Sequence, residues 1–346
     1  MRYKLLGRSG LRVSEIALGT MTFGPGADWS RSEEDARAVF DTYVEGGGNF
    51  IDTANMYMGG ESEKIVGRFV AADRERFVIA TKYTNALPGS GDPNAAGMHR
   101  KSLVQSLDAS LKRLAVDYID VYFVHWWDFT TPVEEVHRAL DDAVRAGKIL
   151  HIGLSDVPAW AVSRAQAFHE LRGYAPIAAM QLEYSLVQRS IEREHLPMGR
   201  TYDIATTAWS PLAGGILTGK YTAHAADGPK RMDSMQLQPL DARNRKIAEA
   251  VDAVAARLGA EASQVALAWV IAKGVIPIVG ATRPEQMRQN LAACGLALDN
   301  EIIAELDAAS AFDLGHPYSM LEWDMPMALG YGGMVEQIDI PFFRKP

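Results

Sequence analysis

Residues 119–125 read IDVYFVH, and the fold turns on how that run is placed. Val121, Tyr122, Phe123 and Val124 are apolar at successive positions, with no alternation between apolar and polar. A strand of that kind is buried on both faces, the habit of parallel sheets covered by helices. Residues 76–82, RFVIATK, have the same make-up. Working outward, six more short apolar runs lie at 15–20, 49–54, 149–155, 177–185, 204–210 and 275–280. Segments with helical spacing lie among them, at 33–45, 61–71, 101–114, 133–145 and 159–170. Gly46 and Gly147 stand where helices commonly end on glycine. Eight α/β repeats with right-handed crossovers predict a (β/α)8 TIM barrel, with an open doubly wound sheet as the competing arrangement.

The chain has 346 residues, 48% hydrophobic and 23% charged, and closed barrels of this length form one domain. A single domain over 1–346 is therefore expected. It comprises a hairpin at 3–13 (YKLLGRSGLRV), a barrel over about 15–295, and a C-terminal helix and tail over about 300–346. Residues 221–242 read as a long polar loop, and the aromatic content after residue 307 predicts a packed tail. The net charge of −8 offers no attraction for nucleic acid or anionic membrane. No run approaches the 18 or so apolar residues of a membrane span, and the N-terminus lacks a signal-peptide core. Cys294 is the single cysteine, so no intrachain disulfide forms, and no HExxH spacing points to a metal. A cytoplasmic location is the expectation.

In such a barrel the chemistry gathers at the C-terminal ends of the strands. The second run, within NFIDTANMYMGG (49–60), ends at Asp52, with Tyr57 five residues on. The third ends at Lys82, the fourth at His125 and the fifth at Ser155-Asp156; the sixth carries Gln181 and the seventh ends at Trp209-Ser210. A phenol with a pKa of about 10 is a poor proton donor at neutral pH. A lysine cation beside Tyr57 would stabilise its anion, Asp52 would hold that lysine, and His125 would orient a substrate oxygen. The product is a general acid for an oxygen gaining negative charge, as a carbonyl does when hydride reaches its carbon. Each residue alone has an ordinary reading: a strand-end cap, a packed phenol, a buried structural histidine. Their convergence on one face of one barrel is what favours chemistry.

These residues sit in motifs that resemble the aldo-keto reductases. The motifs are IDTAxxY at 51–57, Lys82, His125, GLSD at 153–156, QLEYS at 181–185, AWSPLAGGILTGKY at 208–221 and GATRPEQMRQN at 280–290. The resemblance runs to about residue 310 and is nearest to the branch of bacterial reductases and potassium-channel β-subunits. It implies a barrel that binds NADPH in an extended pose without a Rossmann domain, NADH being the alternative. It implies Tyr57 as proton donor, tuned by Lys82 and Asp52, with His125 positioning the carbonyl. Ser155, Asp156 and Gln181 would face the nicotinamide carboxamide and Trp209 would stack on its ring. Ser210, Leu212, Gly214 and Lys220 would line the pyrophosphate. Gly280, Thr282, Arg283, Gln286 and Asn290 would hold the adenosine end, with Arg283 or Thr282 near a 2′-phosphate. Gly19, Thr20, Met21 and Arg231 complete the implied cofactor contacts.

Three positions depart from the family pattern. Asp156 stands where asparagine is common, Gln286 where arginine occurs and Gln289 where glutamate is common. A carboxylate accepts from an amide NH2 but cannot donate to its oxygen. Phe23, Trp126, Trp127 and Phe129 predict an aromatic-lined pocket for a bulky aromatic, terpenoid or sugar carbonyl. The expected partner is that small molecule, with a monomer as default and a homo-oligomer as alternative. A P-loop reading of residues 214–220 fails, because Tyr221 replaces the magnesium-binding hydroxyl. A nicotinamide-binding regulatory subunit with little turnover is the rival that the residues leave open.

Overall fold

The computed structural model describes residues 1–26, 28–87, 89, 91–221, 238–321 and 323–339. Strands β1 (Tyr3–Leu5) and β2 (Arg12–Ser14) pair antiparallel as the expected hairpin. The eight apolar runs become β3 (Ala17–Gly19), β4 (Phe50–Asp52), β5 (Val78–Tyr83), β6 (Ile119–Val124), β7 (Ile149–Ser155), β8 (Ile177–Glu183), β9 (Ala205–Trp209) and β10 (Ile276–Val279). They pair in parallel in chain order, and β10 closes on β3 to complete the barrel. Helices α1 (Glu33–Glu45), α2 (Glu61–Val70), α3 (Arg100–Leu114), α4 (Val133–Arg145) and α5 (Ala159–Arg172) follow β3 to β7 in turn. Gly147 takes the left-handed conformation expected after α4, whereas after α1 the positive φ falls at Gly47 rather than Gly46.

The double-faced apolar runs serve two cores. Side chains alternate across a strand. One parity, including Phe50, Val78, Ala80, Val121, Phe123, Ala179, Ile276 and Ile278, fills the barrel interior in a single apolar cluster. The other parity, including Ile51, Ile79, Tyr122, Val124, Ile152, Leu154 and Met180, joins the shell packed against the helices. Leu6 and Val13 of the hairpin region join the interior cluster and are fully buried. The hairpin thus closes the N-terminal end. Gly153 makes room for the interior: a Cβ there would lie 2.4 Å from the Phe123 ring.

Continuing along the inner parity toward the C-terminal ends, the residue type changes. Phe50 gives way to Asp52, Ala80 to Lys82, Phe123 to His125, Gly153 to Ser155, Ala179 to Gln181 and Thr207 to Trp209. An apolar plug therefore sits beneath a polar floor, and strand register alone places every one of those polar groups on it. Residues 222–237 of the polar loop, Arg231 among them, lie outside the described residues. The tail departs from expectation. Phe312 packs against the Arg189 and Arg193 guanidinium groups, but Trp323, Met325 and Leu329 beyond it are exposed. Among the described residues, no single helix is long and apolar enough to cross a membrane.

Candidate active site

Lys82 is the last inward residue of β5, and its side chain is wholly buried. Its ammonium group donates to Asp52 Oδ1 at 2.6 Å, to the Thr53 carbonyl at 2.9 Å and to the Tyr57 hydroxyl at 3.4 Å. An ammonium has three hydrogens, so this set uses them all. The other carboxylate oxygen of Asp52 accepts from Gln181 Nε2 at 2.8 Å. The chain turns directly after Tyr57, through Met58, Gly59 and Gly60 at φ of 49°, 64° and 95°. His125 follows β6, its ring edge-on to that of Tyr57 with 6.0 Å between centroids.

The electrostatics follow from burial and partners. Burial alone would favour the neutral amine of Lys82, but the Asp52 carboxylate and the Tyr57 oxygen together outweigh it and hold the lysine pKa above its ordinary value. His125 is moved the other way, down to about 3, first by burial and then by the Lys82 charge. It is a neutral imidazole at any working pH. The floor thus carries a buried cation on the Asp52 carboxyl group, a phenol and an uncharged imidazole.

A cavity of about 380 Å3 opens beside them, bordered by Met56, Thr84, Asn85, Trp126, Trp127 and Asp128 among others. The Trp126 ring lies 4.8 Å from that of His125. The structure brings Trp126 and Trp127 to this wall, but not the other two expected aromatics. Phe23 is fully buried and packs on Phe69 in the helix-side core. Phe129 is 82% exposed, turned outward at a φ of 59° and edge-on to Trp127.

The expected cofactor residues other than Arg231 stand at the same end of the barrel. Asp156 Oδ1 accepts from Trp209 Nε1 at 3.1 Å, and its other oxygen lies 3.5 Å from Ser155 Oγ. Ser210, at a φ of 51°, accepts through Oγ from the Gly214 N–H at 3.2 Å. Gly214 and Gly215 follow at φ of 65° and 105°, and a Cβ on Gly215 would meet nothing within 4 Å. The N–H of Gly215 donates to the Leu212 carbonyl at 2.9 Å, so what stands open here is the space beside Gly215, where a phosphate-bearing group could approach the chain closely. Gln286 Oε1 accepts from both the N–H and the hydroxyl of Thr282, at 2.9 and 2.8 Å, while Asn290 Nδ2 donates to the Gly280 carbonyl at 3.4 Å. Arg283 is exposed and precedes a helix over Pro284–Ala292. Gly19, Thr20 and Met21 end β3 or follow it, and Leu212 and Lys220 flank the glycine turn. Among the described residues no cluster of histidine, cysteine or acid could hold a metal ion.

Residues 15–311 match the model of the aldo/keto reductase family. The chain belongs to the aldo/keto reductase family. It is 39% identical over 328 residues to norsolorinic acid reductase of Aspergillus flavus, covering 92% of this chain and 83% of that one. It is 36% identical over 346 residues to an aryl-alcohol dehydrogenase of Pestalotiopsis microspora, covering 96% and 86%. Against the uncharacterised oxidoreductase YrpG of Bacillus subtilis it is 37% identical over 320 residues, covering 89% and 95%. The protein is an oxidoreductase of this family.

Two features of this aldo/keto reductase escaped the sequence reading. Asn55 and Asn85 are buried polar residues tied to the site, Asn55 Nδ2 donating to the Asn85 carbonyl at 2.9 Å. Both lie in loops, where a polar residue carries no pattern signal. The second is the state of Asp156. Burial raises its carboxyl to about 6, against the Trp209 hydrogen bond and the Lys82 charge, which pull it down. Its folded pKa thus lies above the unfolded value of about 3.9. The folded protein binds that proton more tightly, so the ionised form carries a penalty that is full above about pH 6 and gone below about pH 4. Asp156→Asn keeps an acceptor for Trp209 and removes the penalty. The variant is expected to be more stable by on the order of 2 kcal/mol above neutral pH, with the gain vanishing in acid. Denaturation midpoints at about pH 8 and about pH 4 check this; an equal gain at both would contradict it.

Proposed function

We propose that this protein reduces an aldehyde or ketone to the alcohol with a nicotinamide dinucleotide, NADPH ahead of NADH, and acts on bulky aromatic carbonyls. The observation that carries this reading is the buried Lys82 ammonium shared between the Asp52 carboxylate and the Tyr57 hydroxyl. When bound, the nicotinamide supplies hydride to the carbonyl carbon. Tyr57 gives its hydroxyl proton to the carbonyl oxygen. Lys82 stabilises the phenolate left behind, and Asp52, itself held by Gln181, keeps Lys82 charged and in place. His125, being neutral, orients the oxygen by a hydrogen bond without repelling Lys82. The open space beside Gly215 would admit the pyrophosphate, and the exposed Arg283 guanidinium would pair with a 2′-phosphate, which supports NADPH.

Two observations support an aromatic substrate. Trp126 and Trp127 border the cavity next to His125, and offset or edge-on ring contacts there would hold an aryl group. One relative is named for aryl alcohols. Sugars rank lower against such a wall. The test follows nucleotide absorbance with NADPH and NADH and a panel of aryl aldehydes, with the alcohol quantified. Nucleotide oxidised in step with aryl alcohol formed is the expected result. Tight nucleotide binding with no turnover on any carbonyl would favour the regulatory-subunit reading instead.

A further inference from the structure

We propose that Asn85 is a positioning residue that fixes which nitrogen of His125 carries the ring proton. A neutral imidazole has one N–H and one lone pair, and the group facing one nitrogen decides the role of the other. Asn85 Nδ2 lies 2.9 Å from His125 Nδ1. The direction of that hydrogen bond depends on which end of the amide faces the ring. Met56 decides it. Its thioether sulfur lies 2.9 Å from the same Asn85 nitrogen, and sulfur in a thioether has only lone pairs to offer. An amide NH2 has two hydrogens, one for each neighbour. The amide oxygen placed there would face the sulfur lone pairs with nothing to donate.

Asn85 therefore donates to Nδ1, and Nε2 of His125 carries the proton. The main chain that carries Asn85 is held in turn by the Asn55 side-chain amide, which donates to the Asn85 backbone carbonyl. Asn85 and His125 are each only 8% exposed, so bulk water does not compete for the ring. Resting on the reductase reading, this matters because the carbonyl oxygen accepts hydrogen bonds and never donates. Only an N–H at the substrate-facing nitrogen can orient it and stabilise the charge it gains. Asn85 borders the cavity, but its amide is turned to the imidazole, and it acts through that ring.

The experiment reads the ring directly. The full chain is prepared with isotope-labelled histidine, and the His125 signals are assigned by their loss in His125→Gln. In the wild type, Nε2 is expected to give the protonated-nitrogen signal and Nδ1 the bare one. Asn85→Asp presents only acceptors to Nδ1, so the proton should move to Nδ1 and Nε2 should become bare. Asn85→Leu, similar in size but unable to donate, should give a mixture, and serves if the aspartate variant fails to fold. With an aryl aldehyde, Asn85→Asp should lose about a hundredfold in kcat, the scale of removing one oxyanion donor, with nucleotide affinity retained. A wild-type ring protonated at Nδ1, or a ring unchanged in both variants, overturns the proposal. Proton relocation with full activity overturns it too, since the pattern then does not serve reduction. A wild type inactive on every carbonyl would count against the reductase reading, while the ring signals would still decide what Asn85 does.

Discussion

Tyr57→Phe is expected to lower kcat by about 10²–10⁴, the usual worth of a positioned general acid, while nucleotide binding and fold persist. The change removes one oxygen and keeps the ring that meets His125 edge-on. Lys82 retains its two shorter hydrogen bonds, to Asp52 and to the Thr53 carbonyl, so the buried charge stays compensated. No neighbour takes over the proton transfer readily. His125 is held neutral with its pKa near 3, so its imidazolium form, the one acidic enough to give up a proton, is too scarce to serve. Single-turnover rates alongside equilibrium nucleotide titration separate the chemical step from binding. A variant with wild-type turnover would move the proton source away from Tyr57 and sink the mechanism. A variant with weakened nucleotide affinity would show that Tyr57 also holds the cofactor.

Lys82→Met is expected to cost both stability and activity. Methionine fills much of the same space but leaves Asp52 in a dry site without its cation. Removing one partner of a buried ion pair typically costs about 3–5 kcal/mol, because the other charge stays buried and uncompensated. Asp52 keeps one hydrogen bond, from Gln181, which softens the loss without cancelling it. The same change takes away the charge that stabilises the Tyr57 anion, so reduction should fall at least as far as in Tyr57→Phe. Denaturant midpoints at unchanged m-value report the stability arm. A Lys82→Met protein as stable as wild type would mean that water reaches Asp52, contrary to its burial.

The barrel was legible because its strands are apolar on two faces, and that property comes from serving an interior core and a helix-side core at once. The floor of the site was legible because strand parity is strict: once IDVYFVH is a strand, Phe123 and His125 must share a face. Loops obey no such rule. Phe23 looked like a wall residue because it is aromatic and follows the first strand, yet it turns inward against Phe69. Phe129 turned outward through a left-handed backbone that no pattern announces. Asn85 was invisible for the same reason, since its value lies in meeting His125 and Met56 from a distant loop. The tail misled because aromatic content says that a segment is able to pack, without saying that a surface is there to receive it.

Asp52, Lys82 and Gln181 stand on strands, with Tyr57 in the turn after β4 and His125 next to the end of β6, whereas the aromatic wall stands on the connection between β6 and α4. Lys82 is held in register against Phe123 on a strand paired on both sides, and Gln181 against Ser155 and Thr207. Deleting a single residue within β5 would swing Lys82 out toward the helices. Trp126 and Trp127 lie outside the named strands and carry no such constraint. Insertions and exchanges there leave the floor untouched. Over generations such a chain inherits its reaction almost unchanged while its diet drifts, and a designer who grafts only that connection is using the same freedom.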